Sequence, residues 1–192
     1  MLKHMLSVMA LTASSTVALV AVPADAHAQV RRGHTVSVQG INGRGILKSR
    51  SVAQGPGYRD VNRNVRTNNG RGYDSARSTR WGPGYATRNV SNQANNGRGY
   101  TKSQSSSWGP GAYSGDRSVQ ANNGRGYTSS RDANWADGSY TGGRTTTINS
   151  GTTFGRSTSI TNNGDGSANY NYNRTAPSGA TVSRTGTVTR QP

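Results

Sequence analysis

Residues 68–84 read N-N-G-R-G-Y-D-S-A-R-S-T-R-W-G-P-G, and they contain both landmarks of a repeat that runs through most of the chain. The motif Asn69-Gly70-Arg71-Gly72 recurs every 27 residues, with copies that begin at Asn42, Asn69, Asn96 and Asn123. The motif Trp81-Gly82-Pro83-Gly84 keeps the same period, with full or degenerate copies at Gln54, Trp81, Trp108 and Trp135. Self-similarity at a fixed period indicates that each repeat is one supersecondary unit stacked on the next.

Both landmarks are turn signals. Asn-Gly favours a type I′ turn, in which both central residues have positive φ, and Gly-Pro-Gly marks a tight turn or loop. The segments between them are roughly ten residues long, which is within the usual range of a β-strand. One repeat is therefore predicted to contain two strands and two turns.

Residue alternation within these segments also indicates strands. Tyr73, Arg77 and Trp81 have even spacing and share one face of the first predicted strand, while Ser78 lies on a small, polar opposite face. The later copies place aromatic residues at the same two ends of that face, and we expect them to form stacked ladders. The ladder positions are Tyr73, Trp81, Tyr100, Trp108, Tyr127 and Trp135.

These patterns predict an all-β repeat protein built from 27-residue, two-strand repeats, either a β-solenoid or a β-meander. Partial disorder is an alternative, because Ile, Leu, Val and Phe together make up less than a tenth of residues 29–192 and the net charge is +16. Low hydrophobicity combined with high net charge is also the composition of disordered chains.

The N-terminus predicts export. A basic start at Lys3 precedes an apolar run that ends near Pro23, and Ala26-His27-Ala28 supplies small residues before a cleavage site. We expect residues 1–28 to be a signal peptide cleaved after Ala28, and the mature chain to be secreted or periplasmic without an integral membrane span. We divide it into a basic irregular lead-in (29–50), tandem repeats (51–140) and a Thr/Ser-rich β-meander (141–192).

The residue inventory argues against catalysis and metal binding. The chain has no Cys, and His34 is the only His in residues 29–192. A nucleophile–base pair or a Cys-based metal site therefore lacks its components, and we expect no enzyme activity, no cofactor and no metal.

The clearest functional signal is the alternation of arginines with aromatic residues. Arg binds phosphate and carboxylate bidentately, and aromatic rings stack on bases or sugars. The alternative is structural, because arginine also stacks on the aromatic residues of a thin repeat. The candidate polyanion-binding residues are Arg71, Arg77, Arg98, Arg125 and Arg131.

The organisation resembles that of curlin-type exported amyloid subunits, which also combine a signal peptide with Gly/Asn/Gln/Ser-rich repeats of two strands each. The period and both motifs differ from theirs, so the resemblance concerns architecture and implies no residue roles. We expect an exported, non-enzymatic structural or adhesive protein of the bacterial envelope or extracellular matrix, able to self-associate into fibres. The alternatives are a basic secreted module that binds extracellular DNA, acidic polysaccharide or lipopolysaccharide, and a largely disordered basic secreted protein.

Overall fold

The computed structural model describes residues 29–40 and 43–189, which form one sheet of twelve antiparallel strands. Each strand pairs with its neighbours in sequence, so the order across the sheet is the order along the chain. The predicted all-β repeat fold is confirmed, and of the two architectures proposed the chain adopts the meander. The predicted signal peptide, 1–28, lies outside the described residues.

The strands have nearly uniform length. They are β1 (Val30–Gln39), β2 (Gly45–Gly55), β3 (Tyr58–Thr67), β4 (Gly72–Gly82), β5 (Tyr85–Ala94), β6 (Gly99–Gly109), β7 (Ala112–Ala121), β8 (Gly126–Ala136), β9 (Ser139–Ile148), β10 (Thr153–Asn162), β11 (Ser167–Thr175) and β12 (Thr181–Thr189). No helix long and apolar enough to cross a membrane occurs within residues 29–40 and 43–189.

The segment 29–50, predicted to be an irregular lead-in, instead contains β1 and the first half of β2. Val36 and Val38 alternate with polar residues and pair with Lys48 and Ile46 of β2. Two features hid this hairpin in the sequence. Its turn lacks the doubled asparagine of the later copies, and its apolar alternation covers only a few residues.

Successive repeats are displaced along the strand direction. Val52 lies opposite Val61, and Val61 lies opposite Arg77. Arg77 is therefore the residue of β4 in line with Val52, but the residue equivalent to Val52 in the next repeat, 27 positions later, is Thr79. Each repeat is thus offset from the preceding one by two residues. Equivalent side chains of consecutive repeats therefore do not lie directly in line across the sheet.

The N-N-G-R turns differ from the expected type I′ geometry. A type I′ turn needs positive φ at both central residues. Gly70 has a φ of 77°, but the φ of Asn69 is not positive, because among the described residues Asp137 is the one non-glycine residue with positive φ. Gly70 N–H donates to the carbonyl of Thr67 at 3.0 Å. Thr67 N–H donates to the carbonyl of Arg71 at 2.8 Å, so residues 68–70 form a three-residue loop. Loops of that length are typically a type I turn followed by a left-handed residue. Asp137-Gly138, with φ values of 50° and 72°, has the type I′ signature instead.

The two positions of the N-G-R-G motif require glycine for different physical reasons. Gly70 supplies the positive φ, and a Cβ there would meet open space. Gly72 lies where the chain re-enters the sheet, and a Cβ there would overlap the carbonyl oxygen of Val65 on β3. The first glycine thus relieves backbone strain, whereas the second allows two strands to approach each other closely.

The first asparagine of each turn bonds to the turn before it. Asn95 donates from its backbone N–H to the carbonyl of Gly72 at 3.0 Å and from Nδ2 to the carbonyl of Gly70 at 2.9 Å. The same two bonds are made by Asn68, Asn122 and Asn149. The second asparagine acts within its own turn, where Asn96 Oδ1 accepts from the N–H of Arg98 at 3.1 Å. We call Asn68, Asn95, Asn122 and Asn149 the asparagine bridges.

The sheet is a single layer with very little buried apolar surface. Among the described residues the only buried hydrophobic side chains are Val61 and Ala133. The strands make contacts only with their sequence neighbours. Backbone pairing, the asparagine bridges and cross-strand side-chain pairs therefore supply most of the stabilisation that a packed core supplies elsewhere.

We predict that Gly70→Ala lowers the free energy of unfolding by about 1 kcal/mol, because alanine tolerates positive φ poorly. Gly72→Ala should cost more, since its methyl group must displace the Val65 backbone. Gly33→Ala is the control, because the nearest atom to its Cβ would be the Arg50 carbonyl at an ordinary 3.8 Å. Urea unfolding followed by circular dichroism measures all three, and equal stabilities would contradict this account of the motif.

Candidate functional site

The two faces of the sheet differ sharply in charge. Residues directly opposite each other in an antiparallel ladder point to the same side, so the pairing assigns every strand residue to a face. On one side, which we call the basic face, each of the twelve strands places at least one Arg or Lys. These cations are Arg32, Lys48, Arg50, Arg59, Arg63, Arg77, Arg88, Lys102, Arg117, Arg131, Arg144, Arg156, Arg174 and Arg184.

The opposite side, which we call the polar face, carries small polar side chains together with all four aspartates of the strands. These are Asp60, Asp74, Asp116 and Asp132. Both ion pairs found in the described residues lie on this face. Arg80 contacts Asp60 and Arg66 contacts Asp74, each at 2.6 Å. The hydrogen bond from Arg80 holds the pKa of Asp60 below its usual value, and Arg66 does the same for Asp74.

The cations of the basic face have no such partners. No Asp or Glu points to this side from any described strand, since the four strand aspartates all lie on the polar face. The pKa of Lys102 is lowered, first by burial and then by repulsion from Arg117, Arg88 and Arg77. The Nε atoms of Arg50 and Arg88 are buried without a hydrogen-bond acceptor in the described chain. The basic face is therefore a dense, uncompensated positive surface.

Positive charge is most regular on β8–β11. Arg131 lies opposite Arg144, Arg144 lies opposite Arg156, and Arg156 lies opposite Arg174. We call these four residues the arginine ladder. Like charges directly opposite each other destabilise a sheet, and this row places four of them side by side on adjacent strands.

Small residues surround the ladder. Ser129 and Thr146 are each 7% exposed, although both lie on the face of a single-layer sheet. The Nε–H of Arg144 donates to Ser129 Oγ at 2.9 Å, so this arginine lies against the sheet beside the small side chain. Arg131 is placed over the ring of Tyr113, with 5.4 Å from Cζ to the ring centroid. These contacts orient two of the four guanidinium groups.

A surface cleft of about 730 Å³ lies over one end of the ladder. Arg144, Arg156 and Arg174 line it together with aromatic side chains from neighbouring rows. The aromatic residues are Tyr127, Phe154 and Tyr172. The cleft therefore combines three adjacent guanidinium groups with three ring systems.

The structure separates the candidate residues predicted from sequence into two places. Arg77 and Arg131 lie on the basic face, whereas Arg71, Arg98 and Arg125 lie in the N-N-G-R turns at one end of the strands. With Arg44 of the first turn, the last three form a row that we call the turn arginines. Their backbone groups help to close the turns, but their side chains make none of the hydrogen bonds or ion pairs found in the described chain. The fold thus requires the backbone of these residues and not their charge.

The predicted aromatic positions all lie on the basic face, as their even spacing indicated. They do not form a continuous stack, because the offset between repeats separates equivalent rings. Trp108 lies opposite Tyr113 and Trp135 lies opposite Tyr140. The three tryptophans are between 42% and 47% exposed, so they are surface groups and not the core of the sheet.

The arginine ladder was not predicted from the sequence, although the sequence contains a signal for it. Arg131 and Arg144 are equidistant from the Asp137-Gly138 turn, and Arg144 and Arg156 are equidistant from Ser150. Hairpin pairing is symmetric about its turn, so this placement indicates cross-strand neighbours. The relation becomes visible only once the turn lengths are known, and these vary beyond residue 140.

Metal-ligating residues are not clustered in the described part of the chain. No group of three or more His, Asp or Glu side chains is placed to hold a metal ion there. His34 lies opposite Arg50 on the basic face. Comparison with family models, with curated proteins and with solved structures finds no match to this chain.

We predict that Arg156→Gln stabilises the isolated protein, because Arg156 has an arginine directly opposite on both neighbouring strands. The free energy of unfolding should rise by about 0.5 kcal/mol at low salt, and the gain should vanish near 1 M salt, where the Debye length is about 3 Å. Arg184→Gln is the control, since Arg184 lies opposite Tyr172. A loss of stability in Arg156→Gln at low salt would show that repulsion within the ladder is not significant.

Proposed function

We propose that the protein is an exported, non-enzymatic structural protein of the bacterial envelope or extracellular matrix, and that its sheets join through their edge strands. The observation that carries this proposal is the pair of open edges. Within the described residues β1 pairs only with β2, and β12 pairs only with β11. An open edge presents a row of unpaired N–H and C=O groups that act as a template for another strand.

The sequence of β12 is nearly self-complementary. It reads T-V-S-R-T-G-T-V-T, which is close to a palindrome about Thr185. Antiparallel pairing of two copies about Thr185 places Val182 opposite Val188 and Arg184 opposite Gly186. No cation then faces another, so β12 is suited to a two-fold symmetric contact with a second copy of itself.

The free hydrogen-bonding groups of β12 fit this pairing. Ala176 N–H donates to the carbonyl of Ala180 at 2.8 Å, so these two residues form a hydrogen-bonded pair. Bonded and non-bonded pairs alternate along an antiparallel ladder, so every second residue of β12, counted from Ala180, bonds to β11. Arg184 and Gly186 therefore bond to β11, while the N–H of Thr185 points to the open edge. Pairing about Thr185 uses groups that the chain itself leaves free.

A pair of chains joined at β12 is a continuous sheet with β1 at both outer edges. This edge carries Arg31 and Arg32, so a β1–β1 contact brings like charges together. Salt screens such repulsion. We therefore expect assembly in two stages, with pairing through β12 first and longer fibres through β1 at higher salt.

We predict that Thr185→Pro weakens dimerisation at least about tenfold, because proline removes the outward N–H that each copy donates to the other. The internal pairing with β11 does not use this N–H and should survive. Thr185→Ala keeps the N–H and is the matched control. Sedimentation equilibrium measures both dissociation constants, and circular dichroism checks that the sheet is retained. Equal dimerisation of the proline variant and the wild-type protein would exclude β12 as the joining edge.

A second candidate function is polyanion binding, and the acid-free basic face favours it. A one-sided array of cations attracts a polyanion, and each phosphate contact releases counterions. Self-assembly and polyanion binding use different parts of the sheet, namely its edges and one of its faces, so the same molecule can perform both.

We predict opposite salt responses for the two activities. Binding of a polyanion should weaken steeply between 50 and 200 mM salt, by roughly tenfold or more if several phosphates are engaged. Self-association should strengthen over the same range, because salt screens the repulsion between chains. Fluorescence anisotropy and light scattering on one preparation measure the two. Binding that does not change with salt would contradict an electrostatic role for the basic face.

A further inference from the structure

We propose that the arginine ladder binds the phosphate backbone of single-stranded nucleic acid, and that the aromatic side chains beside it stack on the bases. This inference rests on the second candidate function, polyanion binding, and assigns it a ligand and a location. The ligand strand runs across β8–β11, perpendicular to the protein strands, with one guanidinium group available from each.

The spacing of the ladder suits a linear series of anions. Neighbouring strands are about 4.8 Å apart, so the four arginines form a row about 14 Å long. Guanidinium forks bind phosphate oxygens bidentately, and a ligand anion between two arginines relieves the repulsion between them. The row has no internal counter-charge, because the strand aspartates all lie on the other face.

The surroundings of the ladder leave it accessible. All four arginines are exposed. On β10 and β11 the rings of Phe154 and Tyr172 lie next to Arg156 and Arg174, whereas the neighbours on β8 and β9 are small. Ala133 and Ser129 flank Arg131 on β8, and Gly142 and Thr146 flank Arg144 on β9. An extended ligand can therefore reach Arg131 and Arg144 without displacing bulky side chains, and at Arg156 and Arg174 it meets an aromatic ring beside each guanidinium group.

The aromatic residues favour a nucleic acid over a purely ionic polymer. Tyr127, Phe154 and Tyr172 line the same cleft as Arg144, Arg156 and Arg174. Proteins that bind single strands without sequence preference combine a positive track for the backbone with rings on which bases stack. A duplex keeps its bases stacked on one another inside the helix, so it has no free base faces for these rings to stack on. Polyphosphate offers charge without bases.

The experiment measures binding of the purified protein to three probes by fluorescence anisotropy. The probes are a twelve-nucleotide oligothymidylate, a DNA duplex of the same length and inorganic polyphosphate of similar charge. The wild-type protein should bind the single strand more tightly than either of the others at equal salt. Equal or tighter binding of the duplex or of polyphosphate would overturn the assignment to single strands.

The ladder is tested by the quadruple variant Arg131→Gln, Arg144→Gln, Arg156→Gln and Arg174→Gln. Its slope of log affinity against log salt should be smaller than that of the wild-type protein by about 2 to 2.8, because three or four phosphates meet the four arginines and each contact on a single strand contributes about 0.7. The matched control replaces the four turn arginines, Arg44, Arg71, Arg98 and Arg125, with Gln. It loses the same charge, and its slope should change by less than about 1.

The stacking role is tested by Phe154→Leu combined with Tyr172→Leu. Oligothymidylate should bind this variant at least about 30-fold more weakly, because two stacking surfaces are lost. Polyphosphate binding should be unchanged, and this also shows that the sheet and its ladder remain folded. An equal loss for both probes would overturn the stacking role.

The outcomes separate this inference from the function on which it rests. If the wild-type protein binds none of the three probes at low salt, polyanion binding itself fails. If it binds them but the ladder and turn variants lose affinity equally, polyanion binding stands and the ladder is not its site. A selective loss in the ladder variant supports the proposal.

Discussion

The structure depends on antiparallel pairing between sequence neighbours, because the sheet has a single layer and no packed core. A globular domain buries apolar residues between two packed elements, whereas only Val61 and Ala133 are buried hydrophobic residues in this sheet. Register is therefore set by the turns. The N-N-G-R-G motif fixes it at one end of the strands through a left-handed glycine, a close approach at Gly72 and the asparagine bridges between neighbouring turns.

The segregation of charge follows from that register. Side chains of a strand alternate between faces, so a shift of one residue would exchange the two faces completely. In the observed register the aspartates of the strands meet Arg66 and Arg80 on the polar face, while the remaining strand cations, Arg31 apart, gather on the other. The direct opposition of four arginines on β8–β11 works against stability. The ladder has no acidic partner on its own face to offset this repulsion, and proteins tolerate such violations of local rules at functional sites.

The sequence was sufficient for much of this architecture. The 27-residue recurrence of the motifs at Asn69 and Trp81 predicted the strands, and the even spacing of the aromatic residues correctly placed them on a single face. It was not sufficient for register between hairpins, because that depends on turn lengths and not on the residues of the strands. For this reason the arginine ladder was missed. The turn at Asn69 was assigned the wrong type because its loop is longer than the two residues of a type I′ hairpin. The strand β1 was missed for another reason, since its few valines give too weak an alternation to be distinguished from a loop.

The asparagine bridges also have a mechanical consequence. Each one joins a turn to the turn before it, so neighbouring hairpins are hydrogen-bonded at their turns as well as along their strands. A pull on the two edges of the sheet acts across its strands, every hairpin boundary carries the same force, and the weakest boundary separates first. Because each repeat touches only its neighbours, the sheet should yield in discrete steps and re-form by the same steps when the load is removed. A sheet of this kind should therefore separate gradually under tension, whereas a domain with a single cooperative core unfolds in one step.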